Sequence, residues 1–368
     1  MNTPRFSDIE EMWPSQLEAL LRHAAVVQDI KIKRAPWLPD DGYDGLAEFR
    51  VEAKKYQLLI ECKSSGQPRY VRDALSRIPP EKLRSQDCTS VAVFVAPFVS
   101  PASRVLLAEN NWGWLDLAGN ARFAFPDFYL EIDKTSSDPF ASKREQRSLY
   151  FPKSARVLKL LLLHPHRTWK VAELVEAAGV SAGQVSNVRK ALIECEWAQT
   201  NETAEGIHLT QPDALLDAWS NAHAYAPKAM LRAHTLLHGR PLEAAIEAAF
   251  TEASDRGTNI LMASHSVARR LAPFARIAGE YFYVDRKAVP ILTHHLELKP
   301  TDKGENVTLF ETRDDGIWLL TMEVGSSSIK GTDSIQTYLD LLGTGERGRE
   351  AAAHWRAEKI SPLLRHQP

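Results

Sequence analysis

Cysteine is scarce: the 368 residues hold three, Cys62, Cys88 and Cys195, odd in number and far apart. That excludes a disulfide framework and a zinc cluster, and free thiols are expected. Net charge is equally scarce, since 45 Lys and Arg against 47 Asp and Glu leave −2. A globally basic nucleic-acid binder is therefore excluded, and any DNA contact must come from local patches. Long apolar runs are missing too. No stretch approaches the about 18 residues that a membrane span needs. The N-terminal region, with Asp8, Glu10 and Glu11 and no apolar core, does not read as a signal peptide. With 44% hydrophobic residues and a mean hydropathy of −0.29, a soluble cytoplasmic protein without membrane contact is expected. His164/His166 and His294/His295 have no cysteine or acidic residue at a ligand spacing, so they read as ordinary histidines. The length exceeds one typical domain and points to two or three.

What is present begins with Asp44 and Glu61-Cys62-Lys63. In Leu46 to Val51, Ala47, Phe49 and Val51 alternate with Glu48 and Arg50, the pattern of a half-buried strand. Ala53-Lys54-Lys55 reads as a turn, and Tyr56 to Lys63 as the returning strand. Its alternation puts Tyr56, Leu58, Ile60 and Cys62 on one face and Leu59, Glu61 and Lys63 on the other. Asp44 and Glu61 then converge as oxygen ligands for Mg²⁺ or Mn²⁺, with Lys63 placed to activate water or stabilise a scissile phosphate. An exposed hairpin with ordinary charges is the competing reading.

Around this motif lie a helical stretch from Ser7 to Val27, with Glu10, Glu11 and Glu18 as further acids, and a basic helix from Pro68 to about Ile78. That helix carries Arg69, Arg72 and Arg77 as candidate DNA contacts. Ser90 to Val99 is a nearly unbroken apolar run, as in a strand covered on both faces. Gly113 to Asn120 reads as a strand and turn entering a hairpin through Phe123 to Ile132, with Asp116 and Asn120 as turn caps. This α-β-β-β-α-β order resembles the PD-(D/E)xK restriction-endonuclease-like fold over residues 1–135. The resemblance implies metal and catalytic roles for Asp44, Glu61 and Lys63, with Tyr43-Asp44 standing where the family often has Pro-Asp.

Residues 136–150 lose hydrophobic periodicity and read as a linker. A second domain, 151–212, opens with a buried helix, Ser154 to Leu163, followed by Val171 to Ala178, which ends at Gly179 in a position that needs a left-handed residue. Ser181-Ala182-Gly183-Gln184 has the capping-box pattern and opens a helix to about Glu194. Val185, Val188, Ala191 and Leu192 give it a core face. Ala182, Gln184, Ser186, Asn187, Arg189 and Lys190 are left as a polar surface without an acid, suited to a major groove of double-stranded DNA. Trp197 to Thr200 and Gly206 to Thr210 read as two strands joined by a turn carrying Glu202 and Glu205. The order resembles the winged helix-turn-helix family.

A helical connector is expected over 213–257 and an α+β domain over 258–368, making an α/β multidomain chain. Thr210-x-Pro212-Asp213, Gly304-Glu305-Asn306-Val307, Ile335-Gln336-x-Tyr338-Leu339-Asp340-Leu341 and Arg347-Gly348-x-Glu350-Ala351-Ala352 resemble the AbiEi-type antitoxin and transcriptional regulator family of type IV toxin-antitoxin and phage-defence systems. That resemblance implies operator binding and functional opposition to a nucleotidyltransferase-like toxin; the assembly, a homodimer among the options, is left open by the residues. A sequence-specific regulator is thus the first reading, and a metal-dependent endonuclease targeted by its winged helix the alternative.

Overall fold

The computed structural model describes residues 4, 6–34, 43–78, 88–136, 138–140, 149–200, 206–222, 228–274, 279–312 and 314–365. They form a mixed α/β structure of two compact units, Met1–Ser148 with Ala191–Glu196, and Leu149–Lys190 with Trp197–Pro368.

The first unit is built on a seven-stranded sheet in sequential order. Its strands are β1 (Val27–Arg34), β2 (Gly45–Val51), β3 (Lys54–Cys62), β4 (Thr89–Ala96), β5 (Gly113–Asp116), β6 (Ala121–Ala124) and β7 (Tyr129–Ile132). β3, β4 and β5 run parallel, and the outer pairs antiparallel. Both faces of β3 to β5 are buried, which is why Val91 to Ala96 shows no alternation. The Phe6–His23 helix lays Ile9, Trp13, Leu17 and Leu21 on one face, against Ala47, Phe49, Tyr56, Leu58, Ile60 and Cys62. Val71 and Ala74 from the Pro68–Arg77 helix and Leu107 from the Pro101–Glu109 helix cover the other, against Leu59, Ala92, Phe94 and Ala96. Glu61 and Lys63 belong to this second face.

Three local expectations change. The first helix ends at His23 rather than Val27, and residues from Val27 form β1 instead. Val26 and Val27 would lose side-chain freedom in a helix, and Ile30 and Ile32 alternate with Lys31 and Lys33 in the period of a strand. The register breaks between Gln28 and Lys31, beside Asp29 at φ 54°, so the alternation is interrupted where it begins. The hairpin turn falls on Glu52 and Ala53, one residue earlier than expected, with Glu52 at φ 54°. The Pro101–Glu109 helix was not marked by the residue pattern; Ser100 caps it, its hydroxyl accepting the Ser103 N–H.

In the second unit, helices Pro152–Leu163 and Val171–Ala178 pack with a three-stranded sheet of β8 (Trp169–Lys170), β10 (Gly206–Leu209) and β9 (Ala198–Thr200), and the Ala182–Glu194 helix begins there, its residues from Ala191 belonging to the first unit. Gly179 takes φ 60° at the end of the second helix, as a left-handed cap requires. The turn with Glu202 and Glu205, expected as a wing tip, lies outside the described residues, as do 141–148 of the expected linker.

A second seven-stranded sheet follows, ordered β14-β11-β15-β13-β12-β17-β16. These are Lys299–Pro300, Ala229–His234, Val307–Glu311, Glu280–Val284, Ile260–Met262, Ser326–Thr332 and Thr321–Val324. The expected helical connector is only partly helical. Between helices Pro212–Ala222 and Arg240–Asp255, β11 pairs with β15 and β14, because Leu231 and Ala233 find partners more than 60 residues later that no local pattern reveals.

The Pro152–Leu163 helix is fastened to this sheet layer by charge. Lys159 and Asp333, both buried, lie 3.2 Å apart, and Asp333 also caps the Ser334–Leu342 helix by accepting the Ile335 and Gln336 N–H groups. Lys159→Met leaves the Asp333 charge uncompensated and is expected to cost about 3–5 kcal/mol. Asp333→Asn keeps a capping side chain. The Lys159→Met/Asp333→Asn double variant should therefore be more stable than Lys159→Met alone in urea unfolding; equal or lower stability would contradict this.

Candidate functional site

Asp44 stands immediately before β2, held across from Glu61 by its N–H bond to the Ile60 carbonyl, 2.7 Å. Its carboxylate accepts the Cys62 N–H at 2.6 Å. One face of β3 delivers Glu61, 2% exposed, and Lys63 follows at the strand's end, where its N–H bonds the Val95 carbonyl at 2.8 Å. The Lys63 ammonium lies 2.8 Å from Glu61 and 2.7 Å from Asp73, and Arg77 is 3.8 Å from Glu61 and 3.5 Å from Asp73. Asp73 was missed from the sequence. Its signal was the spacing of Asp73 and Arg77, one turn apart on a helix that starts just after Lys63.

The electrostatics follow from burial. Loss of water raises the Glu61 carboxyl; the Lys63 hydrogen bond opposes that and the Asp44 charge adds to it. Burial also works against the Lys63 charge, yet its bonds to Asp73 and Glu61 prevail and keep the ammonium above its ordinary value. Asp73 is held low by the Lys63 hydrogen bond. The Cys62 thiol is pushed far up by burial and then by Asp44 and Glu61, so it is no nucleophile near neutrality.

A divalent cation would find the Asp44 and Glu61 carboxylates, but it would have to displace the Lys63 ammonium from Glu61. No group of three or more His, Cys, Asp or Glu side chains suited to a metal occurs among the described residues. Asp116 has a structural task. Its buried carboxylate accepts the Val99 N–H, the Asn120 N–H and the Asn120 amide, closing the turn into β6. On the Pro68–Arg77 helix Arg69 is exposed, whereas Arg72, expected to meet DNA, is paired with the Glu196 carboxylate at 2.8 Å.

On the Ala182–Glu194 helix, Val185, Val188 and Leu192 are buried while Ala182, Gly183, Ser186, Asn187 and Lys190 are exposed. Those five positions repeat at helical spacing and form one stripe without an acid. Ser181 is exposed and acts as a cap, its hydroxyl accepting the Gln184 N–H at 3.3 Å. Two expected members of the outward surface are turned away. The Gln184 amide, half-buried, donates to the Ser154 hydroxyl on the first helix, and Arg189 is half-buried with its Nε enclosed. Both flank the core face, one residue from Val185 or Val188, so packing claims their stems. Arg156, also on the first helix, reaches the Ala178 and Gly179 carbonyls at 3.4 Å each, and its other nitrogens pair with Asp314. The turn before the exposed stripe is thereby fixed from below.

The C-terminal segment holds a further polar group in its core. Asp340 is 0% exposed; its Oδ1 accepts the Tyr283 hydroxyl at 2.9 Å and the Gln336 amide at 2.7 Å. Gln336 and Asp340 thus belong to a core network rather than to an open site, and Tyr338 is buried beside them. Burial pushes the Asp340 carboxyl up to about 7, against the pull of Gln336 and Tyr283. His295 likewise meets an acid the linear spacing could not show, Glu252 at 2.5 Å.

Because the folded Asp340 holds its proton more tightly than the unfolded chain, whose aspartates titrate near about 3.9, its contribution is full below that value. It is lost as pH rises toward about 7. Asp340→Asn should flatten the fall in thermal stability between pH 4 and 7. An unchanged pH profile would show that Asp340 titrates normally.

None of the helices among the described residues is long and apolar enough to cross a membrane. No curated protein and no solved structure matches the chain. Residues 208–360, from the last strand of the three-stranded sheet through the Glu346–Trp355 helix, match the family model of the AbiEi antitoxin, a transcriptional regulator of type IV toxin-antitoxin systems.

Proposed function

We propose that the chain is a sequence-specific DNA-binding transcriptional regulator and antitoxin, with residues 151–212 acting as a winged helix-turn-helix. The observation that carries this reading is the acid-free stripe of Ala182, Gly183, Ser186, Asn187 and Lys190 on a helix whose preceding turn is pinned by Arg156. The match of the following residues to a regulator family supports it. Asn187 reads an adenine edge, Lys190 meets phosphate, and the small side chains of Ala182 and Gly183 let the backbone approach the groove. In this reading the chain opposes a nucleotidyltransferase-like toxin encoded beside it.

Residues 1–135, read as a PD-(D/E)xK-like domain, serve as a DNA-binding module rather than a nuclease. The reason is the Lys63 ammonium, which bridges Glu61 and Asp73 where a Mg²⁺ or Mn²⁺ ion would compete for Glu61. Lys63→Ala removes that competitor, so calorimetry with DNA present should show tighter Mn²⁺ binding than in the wild type. Mn²⁺-dependent plasmid cleavage by the wild type, abolished in Asp44→Ala, would restore the endonuclease reading.

The regulator reading is tested on DNA from the chain's own promoter. Asn187→Ala should lose roughly 1–3 kcal/mol at the cognate site and little elsewhere. Lys190→Ala should weaken all sequences and lower the salt slope by about 0.9. Gln184→Ala, bonded internally, should alter base preference least. Unchanged binding by the Asn187 and Lys190 variants would remove the recognition-helix assignment.

A further inference from the structure

The helical cover on the second face of the first sheet stops partway. It lies over β3 to β5, and Leu46 on β2 is packed at its rim. Beyond Leu46 the register fixes what the open part of that face presents. Lys33 pairs with Leu46 and Leu46 with Leu59; Lys31 pairs with Glu48 and Glu48 with Gln57; Gln28 pairs with Arg50 and Arg50 with Lys55. Residues directly opposite share a face, so Lys31, Lys33, Arg50 and Lys55 stand on one strip, and all four are exposed. Same-face neighbours along a strand are about 6.6 Å apart and adjacent strands about 4.8 Å, making a strip of roughly 13 by 10 Å. The next same-face positions past Leu46 and Leu59 are Asp44 and Glu61.

We infer that this open face of β1, β2 and β3 is a track for the phosphodiester backbone of DNA, running to the Asp44 and Glu61 end of the sheet. The inference deepens the DNA-binding reading above and rests on it. Charge complementarity selects the occupant. Lys31 and Lys33 make no ion pair among the described residues, Lys55 lies 2.9 Å from Glu48, and Arg50 only loosely approaches Asp29 at 3.9 Å. Four cations thus face two carboxylates. The Glu48 carboxyl is itself held low by Lys55 first, with Lys33 and Lys31 adding, which places three ammonium fields at one point. A single carboxylate cannot neutralise them.

The strip carries no exposed large hydrophobic side chain, which a protein partner would use as an anchor, whereas point charges at this spacing suit backbone phosphates. Lysines on an edge strand also discourage strand pairing. That would account for Lys31 and Lys33 on β1, but not for Arg50 and Lys55 on the inner strands.

The test uses the full chain with duplex and single-stranded DNA of one length, and compares two triple variants of equal charge change. Lys31→Gln/Lys33→Gln/Lys55→Gln removes three of the strip's four cations; Lys134→Gln/Lys303→Gln/Lys359→Gln removes exposed lysines elsewhere. The strip variant should lower the slope of log affinity against log salt by about 0.9 per lost duplex contact, or about 0.7 for single strands, and the control should not. The DNA form with the larger change is the one the track takes. Equal slopes for the two triples overturn the inference while leaving the regulator reading intact, provided the Asn187 and Lys190 variants still lose affinity. No DNA binding by the wild type fails both. Competition by a poly-glutamate peptide as strong as that by DNA would reassign the strip to acidic protein and overturn the inference.

Discussion

The second unit turns on a lysine and an aspartate taken out of water together. Lys159 is buried among Val157, Leu158, Leu160, Leu161 and Leu162 of its helix, and Asp333 caps the Ser334–Leu342 helix. Neither charge is tolerable alone at that depth, so the Pro152–Leu163 helix has one seat on the sheet layer. From that seat the same helix sends Ser154 to the Gln184 amide and Arg156 to the carbonyls of the turn at Gly179. The orientation of the exposed Ala182–Glu194 stripe is therefore set by a helix whose own position is set by the region matched to the AbiEi family.

The first unit rests on a different distribution of charge. Glu61 is nearly sealed from solvent beside Asp44, and Lys63 offsets their repulsion while also serving Asp73. The buried Glu61 and the partly buried Asp44 thus carry their counter-charge on a neighbouring residue of the same strand end. The surrounding sheet shows why this arrangement is local. Helices cover only part of its second face, leaving the acids at the boundary between apolar packing and an exposed cationic strip.

Periodicity carried much of the fold because side chains on strands and helices repeat at fixed intervals. The alternation from Tyr56 to Lys63 assigned Leu59, Glu61 and Lys63 to one face, and Gly179 marked a left-handed cap. Both follow from backbone geometry alone. It failed where the period was broken or too short to count. β1 was absorbed into the preceding helix because Asp29 interrupts its alternation, and β11 was read as helix because its strand partners lie far along the chain. Gln184 and Arg189 looked outward on a helical wheel, yet a wheel does not show that Ser154 waits beside one and that packing encloses the other.

By itself the sequence determined the residue types that could meet: two carboxylates and a lysine at strand spacing, a helix with no acid before Glu194, and C-terminal motifs that resemble those of a regulator family. Composition and period are properties of the chain, and no contact is needed to read them. Only the tertiary structure decided which charges pair with one another. Lys63 is committed to Glu61 and Asp73, Arg156 to Asp314, and Lys159 to Asp333, while Lys31 and Lys33 are left facing solvent. The physical reason is that an ion pair depends on distance and burial, and both are set by which elements pack together rather than by their order along the chain.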